Sequence, residues 1–450
     1  MRQTDSAADF LRAVLRQVRW RQAHGVIRGD LAAHIEDQAE AYARGGADAA
    51  EAEARAVREM GDPADIGLML DASYRPHTPW RMLLPLGLLA LLGAVLRGFV
   101  YDMTGAQWTA FACALALGAA GFALLLRLDL YRAVRRAWLL YAAFLLLALL
   151  VPCICGRAPY RHSLPLLGYS AAKYLWLLCP VVYGFLLYRL RGTGFPGVLL
   201  ACALLGGPFL LCVRVFHTTL LCEVLGGLGC LAVLLTAIWE NAFGGSRWTA
   251  LAFVVLGAGF AAFALCIIEP YRLHRVLALW DPARDPDGVG WTILRVREIV
   301  RSLRPFGQGG ALPPQTALLL QEMQSNTESR NYVLTALMYR YGYAVILLPV
   351  GCAAAFLISC VRRIARLQSV LTRMLCIGSV TVLAAQAALS LLACFGSPLW
   401  HSAFFPFLSH GSMAFFVDVL LAGVLTSLLR TDTLMADAPC KRRRLTVRLE

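Results

Sequence analysis

Ten apolar stretches decide what this chain can fold into. They lie at about 82–100, 107–126, 138–156, 168–188, 195–213, 218–239, 248–268, 343–360, 374–395 and 411–429, the fourth to sixth being the least sharply bounded. Each is close to the roughly 20 residues that a helix needs to cross the hydrocarbon core of a bilayer. Hydrophobic residues make up 59% of the chain and its mean hydropathy is +0.62, well above a soluble domain, in which about half the residues are apolar. The expected fold is all-α: a polytopic membrane helix bundle of about ten transmembrane helices, preceded by a small soluble helical domain. No charged start followed by a short apolar core and a small-residue cleavage site is visible, so the first apolar span is expected to serve as the insertion signal.

An even number of spans places both termini on one side, and arginine says which. With the N-terminus inside, the short inner loops hold Arg127, Arg132, Arg135, Arg136, Arg189, Arg191, Arg247, Arg362, Arg363, Arg366 and Arg373. The tail adds Lys-Arg-Arg-Arg at 441–444, while the short outer loops hold only Arg157, Arg161 and Arg214. Positive charge concentrates on the cytoplasmic side of membrane proteins, so a multi-pass protein with both termini cytoplasmic is expected. The same rule accounts for the formal net charge of +14 as loop charge that sets topology and touches anionic lipid. Nucleic acid is not an expected partner, because no basic face carries interleaved aromatics.

Residues 1–80 read as the soluble helical domain. A cap at Thr4 to Ser6 precedes Phe10, Leu11, Val14, Leu15 and Val18 on one helical face. A second helix over about 26–44 is stopped by Gly45-Gly46. A third opens on a capping-box-like Asp48 and Glu51 and ends at Gly61, with Pro63 as the stop. His34 and Glu36 lie two apart, on different faces of a helix, and belong to a solvated charged face. Residues 81–430 form the membrane domain and 431–450 a basic cytoplasmic tail.

The one long loop within the bundle, 269–342, falls outside. Long loops on rigid scaffolds are where binding and chemistry concentrate. Its arginines, Arg297, Arg301, Arg304 and Arg330 among them, suit an anionic ligand such as a pyrophosphate. Two ionisable residues are singled out within spans, Glu223 and Asp418. Charges there are expensive and raise suspicion of function, although helix-to-helix hydrogen bonding explains them as well. The fourteen cysteines read as small apolar side chains. Gly226, Gly227 and Gly229 permit close helix approach.

The last third of the membrane domain carries a resemblance. Asp281-Pro282 through Gly288, Gly290 and Trp291, then Gly307, Gly309 and Leu312-Pro313, resemble the DP…G-x-G-Y-Q, Gly-rich and LP sequence of the SEDS family (shape, elongation, division and sporulation), which includes FtsW, RodA and SpoVE. Pro406-Phe407-Leu408-Ser409-His410-Gly411-Ser412 resembles the family's closing PF-I/L-S-Y-G-G-S-S. The likeness spans about 82–430 and is specific in its last third. The N-terminal unit resembles a cytoplasmic prefix domain found ahead of permease-like and SEDS-like proteins.

The resemblance implies a bacterial plasma-membrane protein of cell division, cell shape or sporulation, acting in peptidoglycan synthesis on the lipid-linked precursor lipid II, with a class B penicillin-binding protein as partner. The family keeps an aspartate where the eighth span opens. Aligning Tyr332-Val333-Leu334 on that motif puts Asn331 on the aspartate. An amide keeps the carboxylate's shape and can orient a hydroxyl, but it cannot take a proton near neutral pH. The expected reading is therefore lipid II or partner binding with catalysis lost or weakened, Glu328 or Glu322 being a substitute base only if the loop folds back. The family's P-S-E-x-x-K motif survives as Lys173, with Ser170 at the glutamate. The expected substrate-binding set is Lys173, Arg297, Arg301, Arg304, Arg330, Pro406, Ser409, His410 and Gly411. Two alternatives stay open: an active peptidoglycan glycosyltransferase, and a flippase or transporter for a lipid-linked sugar. No cofactor is expected. A divalent metal at the pyrophosphate fits the chemistry, but no ligand cluster for one is visible.

Overall fold

The computed structural model describes residues 6–21, 23–75, 79–99, 105–155, 174–216, 221–268, 281–325, 332–397, 404–408 and 411–431. They form two compact units, one built on the N-terminal helices and one on the apolar helices. Among the described residues there is no strand.

The first unit has four helices, α1 (Ala7–Gln17), α2 (His24–Arg44), α3 (Ala49–Glu59) and α4 (Pro63–Tyr74). Ser6 caps α1, its hydroxyl accepting from the Ala8 N–H at 3.3 Å. Phe10, Val14, Leu15 and Val18 pack with Ile27, Ile35, Ala56 and Val57 in a closed core, as the helical spacing predicts. Two expectations need correction. Asp48 stands at the start of α3, but its side chain makes no capping bond. Pro63 does not merely stop α3; it opens α4, where a missing N–H costs nothing. Asp62 is the cap, accepting from the Ala64 N–H at 3.0 Å.

The second unit begins with α5 (Trp80–Phe99) and α6 (Gly105–Arg127). A short α7 (Leu130–Ala133) and a 3-10 turn lead into α8 (Ala137–Cys155). Then come α9 (Cys179–Arg189), α10 (Phe195–Phe216), α11 (Leu221–Trp239) and α12 (Arg247–Ile268). Three helices of the long loop follow, α13 (Val289–Arg301), α14 (Pro314–Ser325) and α15 (Val333–Tyr341). The chain closes with α16 (Leu347–Ile364), α17 (Val370–Cys394) and α18 (Ser412–Thr431). Within the described residues, each apolar stretch of the sequence falls on helix. Among the described residues five segments are long and apolar enough to cross a membrane: Trp80–Arg97, Gln107–Arg127, Tyr343–Ile364, Val370–Cys394 and Ser412–Thr431.

The centre of this unit is packed backbone to backbone. A Cβ on Gly229 of α11 would lie 2.4 Å from Pro180 of α9 and 2.7 Å from Val382 of α17. One on Gly226 would meet the Trp176 carbonyl oxygen at 2.4 Å. Small residues allow such approach where no hydrophobic force separates helix from lipid.

The long loop is a compact cap with its own small core. Val296, Ile299, Leu319, Met323 and Tyr332 pack together with Ala393 of α17. Thr316 of α14 donates to Glu298 of α13, and Arg295 pairs with the same carboxylate at 2.8 Å. The Thr316 hydroxyl, with Arg295 and Arg301 adding their charge, holds the Glu298 carboxyl below the ordinary range for glutamate. A depressed folded value means that this stabilisation is present above the unfolded value of about 4.3 and disappears as pH falls through the folded one. Wild type should therefore melt above Glu298→Gln at neutral pH, with the gap closing on acidification; a gap independent of pH would show that the carboxylate's charge contributes nothing.

Candidate functional site

Of the closing motif singled out in the sequence, the structure describes Pro406 in the 404–408 turn and Gly411 just before α18. Phe404 to Leu408 are all buried, Pro406 included. This is non-helical backbone inside a helix bundle, so each of its N–H groups must find a protein partner. Asp418, 1% exposed on α18, supplies one: its Oδ2 accepts from the Phe407 N–H at 3.1 Å. Phe407 itself has φ of 64°, a conformation side chains seldom adopt. Its carbonyl oxygen presses on α5, where a Cβ at Gly93 would lie 2.1 Å away. Glycine is required there by space alone.

One turn along α5, Arg97 is 0% exposed and was not singled out in the sequence. Its Nη1 donates to the Gly93 carbonyl at 3.1 Å, and its guanidinium lies 4.2 Å from the Phe111 ring and 5.2 Å from that of Phe415. Arg97 stands within electrostatic reach of Asp418, and Gln386 of α17 faces the same carboxylate. Among the described residues, Asp418 Oδ1, both amide atoms of Gln386 and the Ser390 hydroxyl find no hydrogen-bond partner. The signal for Arg97 was there, an arginine inside the first span, but near the end of a span arginine also reads as an interfacial residue.

The closing motif meets the start of the fourth span. Tyr174 packs edge-on against Phe404 at 5.2 Å, and a Cβ on Gly411 would lie 3.4 Å from its hydroxyl. Lys173 lies outside the described residues, as do Ser409, His410, Glu328, Arg330 and Asn331. Glu223 belongs to α11, with its side chain outside the described set. The residues after Asn331 are well anchored: Tyr332 is buried in the cap core, and the Thr335 hydroxyl donates to the Cys394 carbonyl at 3.1 Å.

The arginines of the cap separate. Arg297 donates its Nε to the Gly396 carbonyl at 3.0 Å and so ties α13 to the end of α17. Arg301 and Arg304 are exposed, Arg301 at the end of α13 and Arg304 on the turn that follows. Among the described residues no group of three or more His, Cys, Asp or Glu side chains gathers as metal ligands would.

Comparison with known proteins finds the same polytopic helical fold. The FtsW/RodA/SpoVE cell cycle protein family matches residues 207–434, half of the chain, and the chain belongs to that family. It is 24% identical over 178 residues to a probable peptidoglycan glycosyltransferase FtsW of Trichlorobacter lovleyi, which takes in 39% of this chain and 45% of the relative. It is 36% identical over 85 residues to the corresponding protein of Escherichia coli O6:H1, 18% of this chain and 19% of that one. The chain thus spans less than half the length of these curated relatives. Among solved structures, a chain of a peptidoglycan synthase complex that coordinates polymerization and crosslinking matches with a TM-score of 0.57 at 19% identity, covering 78% of this chain and 98% of that one. The rod shape determining protein RodA of Thermus thermophilus matches with a TM-score of 0.51 at 16% identity, covering 78% and 97%. At these identities the likeness is one of fold.

Asp418→Ala would take the carboxylate from beside Arg97 and orphan the Phe407 N–H. Leaving a buried hydrogen-bonding group without its partner costs about 1–3 kcal/mol, and thermal unfolding in detergent should show a loss of that order. Asp418→Asn, which can still accept from Phe407, should lose less. In a double-mutant cycle with Arg97→Met the two losses should fall short of additive; strict additivity would mean that the two groups do not interact.

Proposed function

We propose that the protein acts in peptidoglycan synthesis at the bacterial plasma membrane, both termini cytoplasmic, binding lipid II or a wall-synthesis partner such as a class B penicillin-binding protein, with polymerase catalysis lost or weakened. The observation that carries this reading is Asn331, the amide at the position where the family keeps an aspartate. Family membership and the fold shared with a peptidoglycan synthase chain support a retained binding surface; Asn331 supports the loss of chemistry. Joining a sugar hydroxyl to a glycosyl pyrophosphate carbon asks for a group that takes the acceptor's proton and for cations near the departing pyrophosphate. In this reading Asn331 orients the hydroxyl without taking its proton, and the exposed Arg301, with Arg330, attracts the pyrophosphate. The rigid seating of Tyr332 and Thr335 supports a fixed position for the start of α15.

The test is lipid II polymerisation by the purified protein beside Asn331→Asp, with and without a penicillin-binding partner. Loss of a general base typically costs about 10²–10⁴-fold in rate. Asn331→Asp is expected to gain on that scale over a near-silent wild type. A wild type that polymerises as fast as Asn331→Asp would refute the reading and establish an active glycosyltransferase.

A further inference from the structure

Between α13 and α14 the chain makes a turn that the proposed function does not use. Residues 303–309 run beside the junction of α15 and α16 and are bonded to it through the backbone. The Gly307 N–H donates to the Tyr341 carbonyl at 3.1 Å, and the Gly309 N–H to that of Tyr339 at 2.8 Å. In return the Tyr343 N–H donates to the Arg304 carbonyl at 2.9 Å, and the Ala344 N–H to that of Pro305 at 3.2 Å. The Tyr339 hydroxyl closes on the Gly310 carbonyl at 3.0 Å. Gly342, at φ of 93°, lets the two strips touch: a Cβ there would lie 2.4 Å from the Pro305 oxygen. The turn is a fixed strap at the point where the span Tyr343–Ile364 begins.

What the strap displays is apolar and cationic. Phe306 at its tip is 80% exposed. Tyr341 and Tyr343 beside it are exposed too, and Leu347, one turn into the span, is 73% exposed. An apolar side chain this open on a membrane span faces lipid, so the strap's outer surface continues the lipid-facing surface of α16. Aromatic side chains cluster at the level where a bilayer meets water. Arg304 and Arg340 are exposed on the same two strips, and no Asp or Glu occurs between residues 299 and 321 or between 329 and 349. In water, an open phenylalanine flanked by arginines would be an unexplained apolar patch. At the bilayer edge it is an anchor, with the ring among the upper acyl carbons and the guanidinium groups among phosphates. The strap's backbone groups are already satisfied within the protein, which is the condition for irregular chain at that depth.

We propose that residues 303–309 form an interfacial strap that seats the outer cap on the bilayer, Phe306 inserting into lipid and Arg304 and Arg340 binding phospholipid phosphates. This inference does not depend on what Asn331 does.

The experiment uses the full chain in vesicles of phosphatidylethanolamine with a minority of phosphatidylglycerol. The photo-crosslinker p-benzoylphenylalanine replaces Phe306 in one variant and Leu347 in another, and the adducts are read by mass spectrometry. Phospholipid adducts are expected at both positions. Lipid adducts at position 347 with none at 306, or with only protein crosslinks at 306, would overturn the proposal, the latter in favour of a protein partner on this face. Basic residues near an anionic surface contribute about 1 kcal/mol each, so phosphatidylglycerol should be enriched about fivefold or more over its mole fraction among adducts at 306. Arg304→Gln with Arg340→Gln should bring that enrichment down to the mole fraction. Unchanged enrichment would overturn the phosphate contacts, and adducts at 347 in the same preparation report that the variant is folded and inserted.

Discussion

A backbone N–H inside a membrane bundle cannot fall back on water, and the structure around the closing motif follows from that. The 404–408 turn is irregular chain, so the helix ladder that satisfies its neighbours is not available to it. Asp418 accepts the Phe407 N–H. Burying a carboxylate at that depth is itself costly, and the positive charge of Arg97 on α5 offsets part of the cost. Arg97 in turn is held by the Gly93 carbonyl and by two aromatic faces. One unsatisfied amide thus organises residues on α5, α6, α17 and α18, and forces glycine at position 93 because the turn needs the space.

The cap formed by the long loop obeys the same rule by other means. Its helices are short, and packing rather than propensity stabilises short helices. α13 is fastened to the membrane domain by Arg297 on the Gly396 carbonyl, and α15 by Thr335 on the Cys394 carbonyl. Both acceptors lie at the end of α17, where the last carbonyls of a helix lack intrahelical donors. The cap therefore uses the exposed end of a central span as its foundation. This fixes the start of α15, next to Asn331, relative to the bundle core.

Much of this was legible in the sequence, and the gaps have physical reasons. Length and apolarity alone mark the spans, since a membrane helix needs no periodicity to be recognised, and the described parts of the apolar stretches fall on helices. The face of α1 was legible because Phe10, Val14 and Leu15 follow helical spacing. The helix α4 was missed because Asp62-Pro63 punctuates both an ending and a beginning. Arg97 was passed over because its meaning comes from Asp418, more than three hundred positions away, and no local pattern carries that. Arg297 read as a free cation for a phosphate, yet its Nε is engaged by a backbone carbonyl that only the fold brings near. Spacing identifies which residues are charged; it does not say which charges are already occupied.

That distinction bears on how the membrane-embedded polar groups are understood. A carboxylate in the middle of a span invites a transport role, because proton and substrate paths are lined with such groups. A path requires its groups to face a continuous polar cavity. Asp418, Gln386 and Arg97 are each at most 1% exposed, and the first is committed to a backbone amide while the last bonds a carbonyl on its own helix. The arrangement resembles a keystone more than a conduit. The carboxylate has a structural task that would keep it in place whether or not the chain does chemistry. Asp418 is thus accounted for by the 404–408 turn that it holds.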